Sequence, residues 1–221
     1  TTSGFSIIQY TGNATNGATI GHGLGVAPTL MISRNQSNNS WSHYWKVLGP
    51  TKFLTLESTA AVGTSANRLN STDPSTTLIT LGSDNEANKN ATGTLMYAFA
   101  PVQGYSSFGS FVGNGNANGP FVYTGFSPAY VVIKNSGGDE AWNVWNNKTP
   151  GFNVCNENLQ PNSNVAEQTS SAGVKEIDFN SSGFKIRGSN TELNQSGNTM
   201  VYAAFAEAPL CNSNGAPSTA R

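Results

Sequence analysis

The chain has 221 residues, a formal net charge of −1 and only 10% charged side chains, against about 25% in an ordinary domain. Its 11 Lys and Arg are scattered, which does not suit a phosphate backbone, and no apolar run approaches the roughly 20 residues of a membrane-spanning helix. Neither nucleic acid nor membrane insertion is therefore expected. The polarity comes instead from 28 Asn, 25 Ser, 22 Thr and 24 Gly. These residues favour turns through local hydrogen bonds and, for Gly, positive φ. At a net charge near zero they indicate an ordered, loop-rich β-protein.

Residues 5–10 (FSIIQY) read as a short strand rich in aromatic and β-branched residues. Residues 12–25 hold five Gly and form a loop. GHGLG at 21–25 has neither the Lys nor the following helix pattern of a phosphate loop. Pro28 opens a strand at 29–34, and 41–48 is the next. Residues 53–56 (FLTL) alternate as a half-buried strand does. Residues 58–66 are the one predicted helical turn of this half. Strands at 77–81 and 94–100 flank a polar loop at 82–93. Residues 101–105 then lead into a second series, with strands at 108–112, 121–124, 129–134 and 141–146. An irregular polar insertion at 153–172 follows, and strands at 174–179, 184–187 and 199–206 close the series.

The two series are copies of one another. YTGNATNGATIGHGLGVAPTLMISRN at 10–35 matches FVGNGNANGPFVYTGFSPAYVVIKN at 111–135. Gly12-Asn13 lies 101 residues before Gly113-Asn114, and Arg34-Asn35 lies 100 before Lys134-Asn135. Trp41 and Trp45 fall opposite Trp142 and Trp145. Gly82-Ser83 and Phe99-Ala100 fall opposite Gly188-Ser189 and Phe205-Ala206, where the offset has grown to 106. A period near 100 residues is too long for a solenoid unit of roughly 20–50. It suits two tandem domains, each with a core. Short strands with frequent turn signals, and no β–helix–β alternation, give the fold class. The expectation is all-β: two tandem β-sandwich domains, jelly-roll-like, at 1–103 and 104–208, with a tail at 209–221.

The sequence is poor in reactive constellations. His22 and His43 lack counterparts in the second copy, and no G-x-S-x-G elbow occurs, so both read as surface or loop histidines. Asp73, Asp84, Glu86, Asp139, Glu140 and Glu157 could supply a glycosidase pair, but none stands in an unusual context. Asp84-Asn85-Glu86 sits in the loop GSDNEANKN, which could offer calcium its oxygens, yet the EF-hand spacing is absent. Cys155 and Cys211 leave a disulfide and two independent thiols both open. No catalytic residue, cofactor or metal is expected. The binding candidates are aromatic: Trp41, Tyr44, Trp45, Trp142 and Trp145. Trp41 and Trp45 share a strand face, with Tyr44 on the other, while Trp142 and Trp145 face opposite ways. In each copy one Trp is expected in the core. An outward one could stack on a sugar ring, having an apolar face and a polar handle.

YTGN…GHGLGVAP, with the apolar strand ending in a basic residue and Asn, resembles a repeat domain of tail fibres and other virion-surface proteins. The phages concerned infect cyanobacteria and other marine bacteria. YSSFGSFVGNGNANGPFVYTGFSPAYVVIKN at 105–135 is similar to the second unit of such proteins. FAEAPLCNSNGAPSTAR at 205–221 resembles their C-terminal end, which implies a C-terminal portion or a short stand-alone relative. The resemblance implies a non-enzymatic protein of the virion, a tail fibre or appendage contacting a host-surface glycan or protein. It also implies other virion proteins as partners and a homo-oligomeric state. A capsid decoration or cement protein is the alternative, and a carbohydrate-active enzyme ranks third. The resemblance marks a scaffold and assigns no functional residue.

Overall fold

Alternating burial is clearest at 93–99, while the strands at 128–135 and 199–206 are buried over longer runs. A computed structural model describes residues 3–37 and 40–208; the predicted tail from 209, with Cys211, lies outside the described residues. The chain divides into Thr1–Pro101 and Val102–Arg221. Among the described residues it holds seventeen strands and two helices of four residues each. The all-β class is thus observed.

The first unit runs β1 (Phe5–Thr11), β2 (Ala18–Gly21), β3 (Leu30–Asn35), β4 (Ser42–Trp45), β5 (Lys52–Thr55), β6 (Gly63–Thr64), β7 (Leu78–Leu81), α1 (Asn85–Asn88) and β8 (Gly93–Phe99). The larger sheet has the order β1-β8-β3-β4-β5-β6, and β2 pairs with β7 in the smaller. On β8, Met96 and Ala98 point inward while Leu95, Tyr97 and Phe99 are half-buried on the opposite face. The core gathers Ile8, Met31, Tyr44, Met96 and Ala98 from the larger sheet with Ile79 and Leu81 from the smaller. The residues predicted as a helical turn, 58–66, instead contain β6, which pairs with β5. Val62 and Thr64 are β-branched, and no helical apolar period supports a turn there.

The second unit runs β9 (Ser106–Val112), β10 (Phe121–Tyr123), β11 (Pro128–Asn135), β12 (Trp142–Asn146), β13 (Glu157–Asn158), β14 (Gln168–Thr169), β15 (Ile177–Asn180), β16 (Gly183–Ile186), α2 (Thr191–Asn194) and β17 (Thr199–Ala206). Its sheets have the orders β12-β11-β17-β9, β10-β16-β15 and β13-β14. The core lies between the first two, around Val131, Ile133, Trp145, Phe184, Ile186, Met200 and Tyr202. The run β1-β8-β3-β4 therefore has the same order as β9-β17-β11-β12. In each unit the second sheet has only two or three strands, fewer than a symmetric jelly roll would carry. The predicted irregular insertion at 153–172 contains the small hairpin β13-β14.

The repeated signature is a hydrogen-bonding device. Buried Asn88 accepts the Asn13 amide on Oδ1 at 2.9 Å and donates from Nδ2 to Thr15 O and Gly82 O. Buried Asn194 accepts the Asn114 amide at 2.8 Å and donates to Asn116 O and Gly188 O. Asn35 and Asn135, at the ends of β3 and β11, donate to Asn85 O and Thr191 O, so each four-residue helix is tied to a strand end. The Gly-Asn turns must start with Gly, since a Cβ at Gly12 or Gly113 would collide with Lys89 O or Gln195 O. The residues that most mark the sequence repeat thus hold its loops.

Candidate functional site

Four of the five predicted aromatics are inside the protein. Trp145 is 0% exposed, Trp142 1%, Trp45 2% and Tyr44 5%. β4 lies between β3 and β5 in the larger sheet, and all four of its residues are buried. Sharing a strand face does not expose that face when both sides are covered. The register also corrects the pairing of the copies. Leu30 sits opposite Trp45 and Met31 opposite Tyr44, whereas Tyr130 sits opposite Asn146 and Val131 opposite Trp145. Trp145 thus corresponds to Tyr44, and both rings belong to the cores. Tyr44 donates its hydroxyl to Asp73 Oδ1 at 2.8 Å, and burial raises its pKa. Only Trp41 of the five is at the surface, half-buried. It stacks on Tyr97 at 6.4 Å between centroids, and the Arg34 guanidinium lies 5.2 Å from its ring centroid.

The remaining reactive residues are absorbed into the scaffold. Neither histidine is at the surface: His22 is 2% and His43 4% exposed. The His22 ring lies between Ser75 O, 3.2 Å from Nε2, and the Leu24 amide, 3.3 Å from Nδ1. Asp84 caps α1 by accepting the Glu86 amide at 2.8 Å, accepts from Ser65 Oγ at 3.0 Å and faces Arg68 at 3.7 Å. Those contacts occupy the oxygens that a calcium reading would need. Among the described residues no three of His, Cys, Asp and Glu gather as metal ligands would. A cavity of about 20 Å³ near Ser42, Lys52, Phe53 and Arg68 has room for one water. Arg68 lies 3.5 Å from the Phe53 ring centroid and donates to Ser42 Oγ.

Cys155 is a free, buried thiol, and burial pushes its pKa up to about 11. Iodoacetamide should therefore label it more than about 100-fold more slowly at pH 8 in the native protein than in urea. Peptide mapping, which separates it from Cys211, measures the two rates. Equal rates would contradict the packing described around it.

The open face lies elsewhere, on the outer side of β10-β16-β15. Val122 and Phe184 pair across β10 and β16 and point into the core. Their neighbours on each strand therefore point out. Two cross-strand rows result: Phe121, Lys185 and Asp178 in one, Tyr123, Gly183 and Asn180 in the other. Phe121 is 49% and Tyr123 71% exposed. Phe152, 75% exposed, precedes Asn153, whose side chain brackets the Phe179 backbone at the border of β15. Around the rings, Arg187 pairs with Asp178 at 3.5 Å and the Lys185 ammonium donates to Gly119 O at 2.6 Å.

The first unit offers an internal control. Ile20 pairs with Ile79 as Val122 pairs with Phe184, so Thr19 stands where Phe121 does and Gly21 where Tyr123 does. Across the strands, Gly21 faces Leu78, whereas Tyr123 faces Gly183. One large side chain fills that pair in either unit. Phe121 has no such structural counterpart. Sequence reasoning placed a strand at 121–124 but passed over its outward rings. The available signal was the alternation of two aromatics about an apolar residue where the first copy has Thr and Gly.

The chain matches, over residues 1–209, the family described as a domain of unknown function, DUF7483. It matches no curated protein and no solved structure. The protein belongs to the DUF7483 family.

Proposed function

We propose that this member of the family is a non-enzymatic virion-surface protein that contacts a host surface through the outer face of β10-β16-β15. The observation that carries the reading is Phe121: a half-exposed ring on an open sheet where the equivalent position of the same scaffold holds Thr19. The fold does not need that ring, and an exposed aromatic beside Tyr123 is a binding anchor in search of a surface. The virion setting rests on the resemblance of the repeat signature to tail-fibre and appendage domains. A homo-oligomer in the particle belongs to the same reading. The edge strands β1 (FSIIQYT) and β9 (SSFGSFV) carry no charge to discourage pairing with another copy.

The experiment is adsorption of particles carrying Phe121→Thr and Tyr123→Leu. The first substitution installs the residue of the first unit, and the second removes the ring while keeping an apolar side chain at its position. Attachment to host cells should fall by about tenfold or more. Unchanged attachment would discard the contact role and leave the capsid-decoration alternative, which the uncharged edges also suit. Hydrolysis of host polysaccharide by the purified protein would overturn the non-enzymatic reading.

A further inference from the structure

Resting on that reading, we infer that the ligand of the β10-β16-β15 face is a neutral saccharide chain, seated on the Phe121 and Tyr123 rings. Each ring has a glycine beside it rather than a side chain. A Cβ at Gly183 would collide with Val122 O and come 3.1 Å from Phe121 Cζ, so the tip of this ring reaches over β16 at a position that carries no side chain. Tyr123 leans the same way toward Gly125, where a Cβ would lie 3.6 Å from its hydroxyl oxygen. The two residues are i and i+2 on one strand, about 7 Å apart along it. One side of a pyranose ring is a patch of C–H groups that packs on an aromatic face, while its hydroxyls project at the rim. An aromatic ring ringed by polar groups is the complementary surface.

The polar groups stand in register with the rings. Lys185 and Asp178 continue the Phe121 row and Asn180 the Tyr123 row, each one or two strands away, about 5–10 Å. Lys185 offers hydroxyls a donor and the Asn180 amide both a donor and an acceptor, while Asp178 turns one oxygen to Arg187 and buries the other. Their charges are partly matched. Asp178 faces Arg187, and Lys185 is turned to a backbone carbonyl. A polyanion would find one net positive charge among Lys185, Arg187 and Asp178, too little for a sulfated chain or a nucleic acid. A protein partner fits less well. The centre of a protein interface is depleted of charge, whereas here Lys185 stands on the central strand β16, with the aromatics on the β10 edge and Asp178 on the β15 edge.

The test treats host cells before adsorption, using intact particles. Periodate cleaves the vicinal diols of sugars, and a broad protease strips surface protein. Wild-type particles should lose attachment on periodate-treated cells, by about tenfold or more, and keep it on protease-treated cells. In parallel, neutral polysaccharide extracted from the host, cast into a native gel, should retard the purified full chain. It should not retard the Phe121→Thr, Tyr123→Leu variant, whose melting temperature is checked first. Heparin in the same gel should retard neither. Attachment lost to protease and kept after periodate overturns the saccharide assignment, and so does retardation by heparin alone. In both cases the host-contact reading survives if the variant still attaches poorly to untreated cells. Full attachment of the variant to untreated cells instead removes that reading and this inference together.

Discussion

Asn194→Ala should lower the unfolding free energy by about 2–4 kcal/mol, one of the largest effects of any single polar substitution in this protein. The side chain is 0% exposed and joins three pieces of chain. Its Oδ1 holds the Asn114 amide at 2.8 Å, and its Nδ2 reaches Asn114 Oδ1 at 3.0 Å, Asn116 O at 2.8 Å and Gly188 O at 2.9 Å. Truncation leaves Gly188 O buried without this donor, and an orphaned buried group costs about 1–3 kcal/mol. The vacated volume and the loosened Gly113-Asn114 turn add to that. Asn194→Asp is the sharper variant, being nearly the same shape. It keeps the acceptor but turns the donor into an oxygen facing three other oxygens, so it should be no better tolerated than Ala. Urea unfolding of both variants measures this. A loss below about 1 kcal/mol for each would mean that water replaces the hub and that the signature is not what holds the loop.

That hub explains why so much of the architecture was readable. Gly12-Asn13, Arg34-Asn35 and Gly82-Ser83 recur because loop geometry depends on particular donors and on the absence of a Cβ. Such constraints act through local sequence, and they led to the strands of both copies. What failed depended on coverage rather than on pattern. Alternation tells which residues share a face, but not whether a neighbouring strand or layer covers it. Trp45 and Trp142 were therefore assigned no environment by their spacing. Matching Trp45 to Trp145 by identity also slipped the copies by one residue, and a one-residue slip exchanges the two faces of a strand. The register, which places Tyr44 opposite Met31 and Trp145 opposite Val131, removes that slip. The helices α1 and α2 are one turn long, too short for an apolar period. Their only local mark is the cap, Asp84 in one and Asn190 in the other. In sequence Asp84 reads equally as a calcium ligand, because a capping carboxylate and a metal-binding one look alike in a Gly- and Asn-rich loop.

Acid should destabilise the protein through His43, and replacing that residue should flatten the response. His43 is 4% exposed on β4, opposite Ile32 on β3 and Leu54 on β5, and burial lowers its pKa from 6.5 to about 3. In the unfolded chain the imidazole titrates near 6.5. Between these values the unfolded state binds one more proton than the native state, so stability falls as the pH falls. The slope from this group is about 1.4 kcal/mol per pH unit. Its contribution is fully retained above pH 6.5, is lost progressively below it and levels off near pH 3, after about 4–5 kcal/mol. His43 lines the small cavity beside Lys52 and Arg68, and among the described residues that lining carries no carboxylate to pair with an imidazolium. Carboxylates titrate over part of the same range, so the measurement is a difference. Urea unfolding of the wild type and of His43→Leu is compared from pH 7.5 to pH 4. Leu fills a similar volume and binds no proton. The wild-type curve should fall more steeply by about 1.4 kcal/mol per pH unit below pH 6. Parallel curves would mean that the imidazole reaches water or an acceptor when protonated, and that β4 is less tightly covered than its burial indicates.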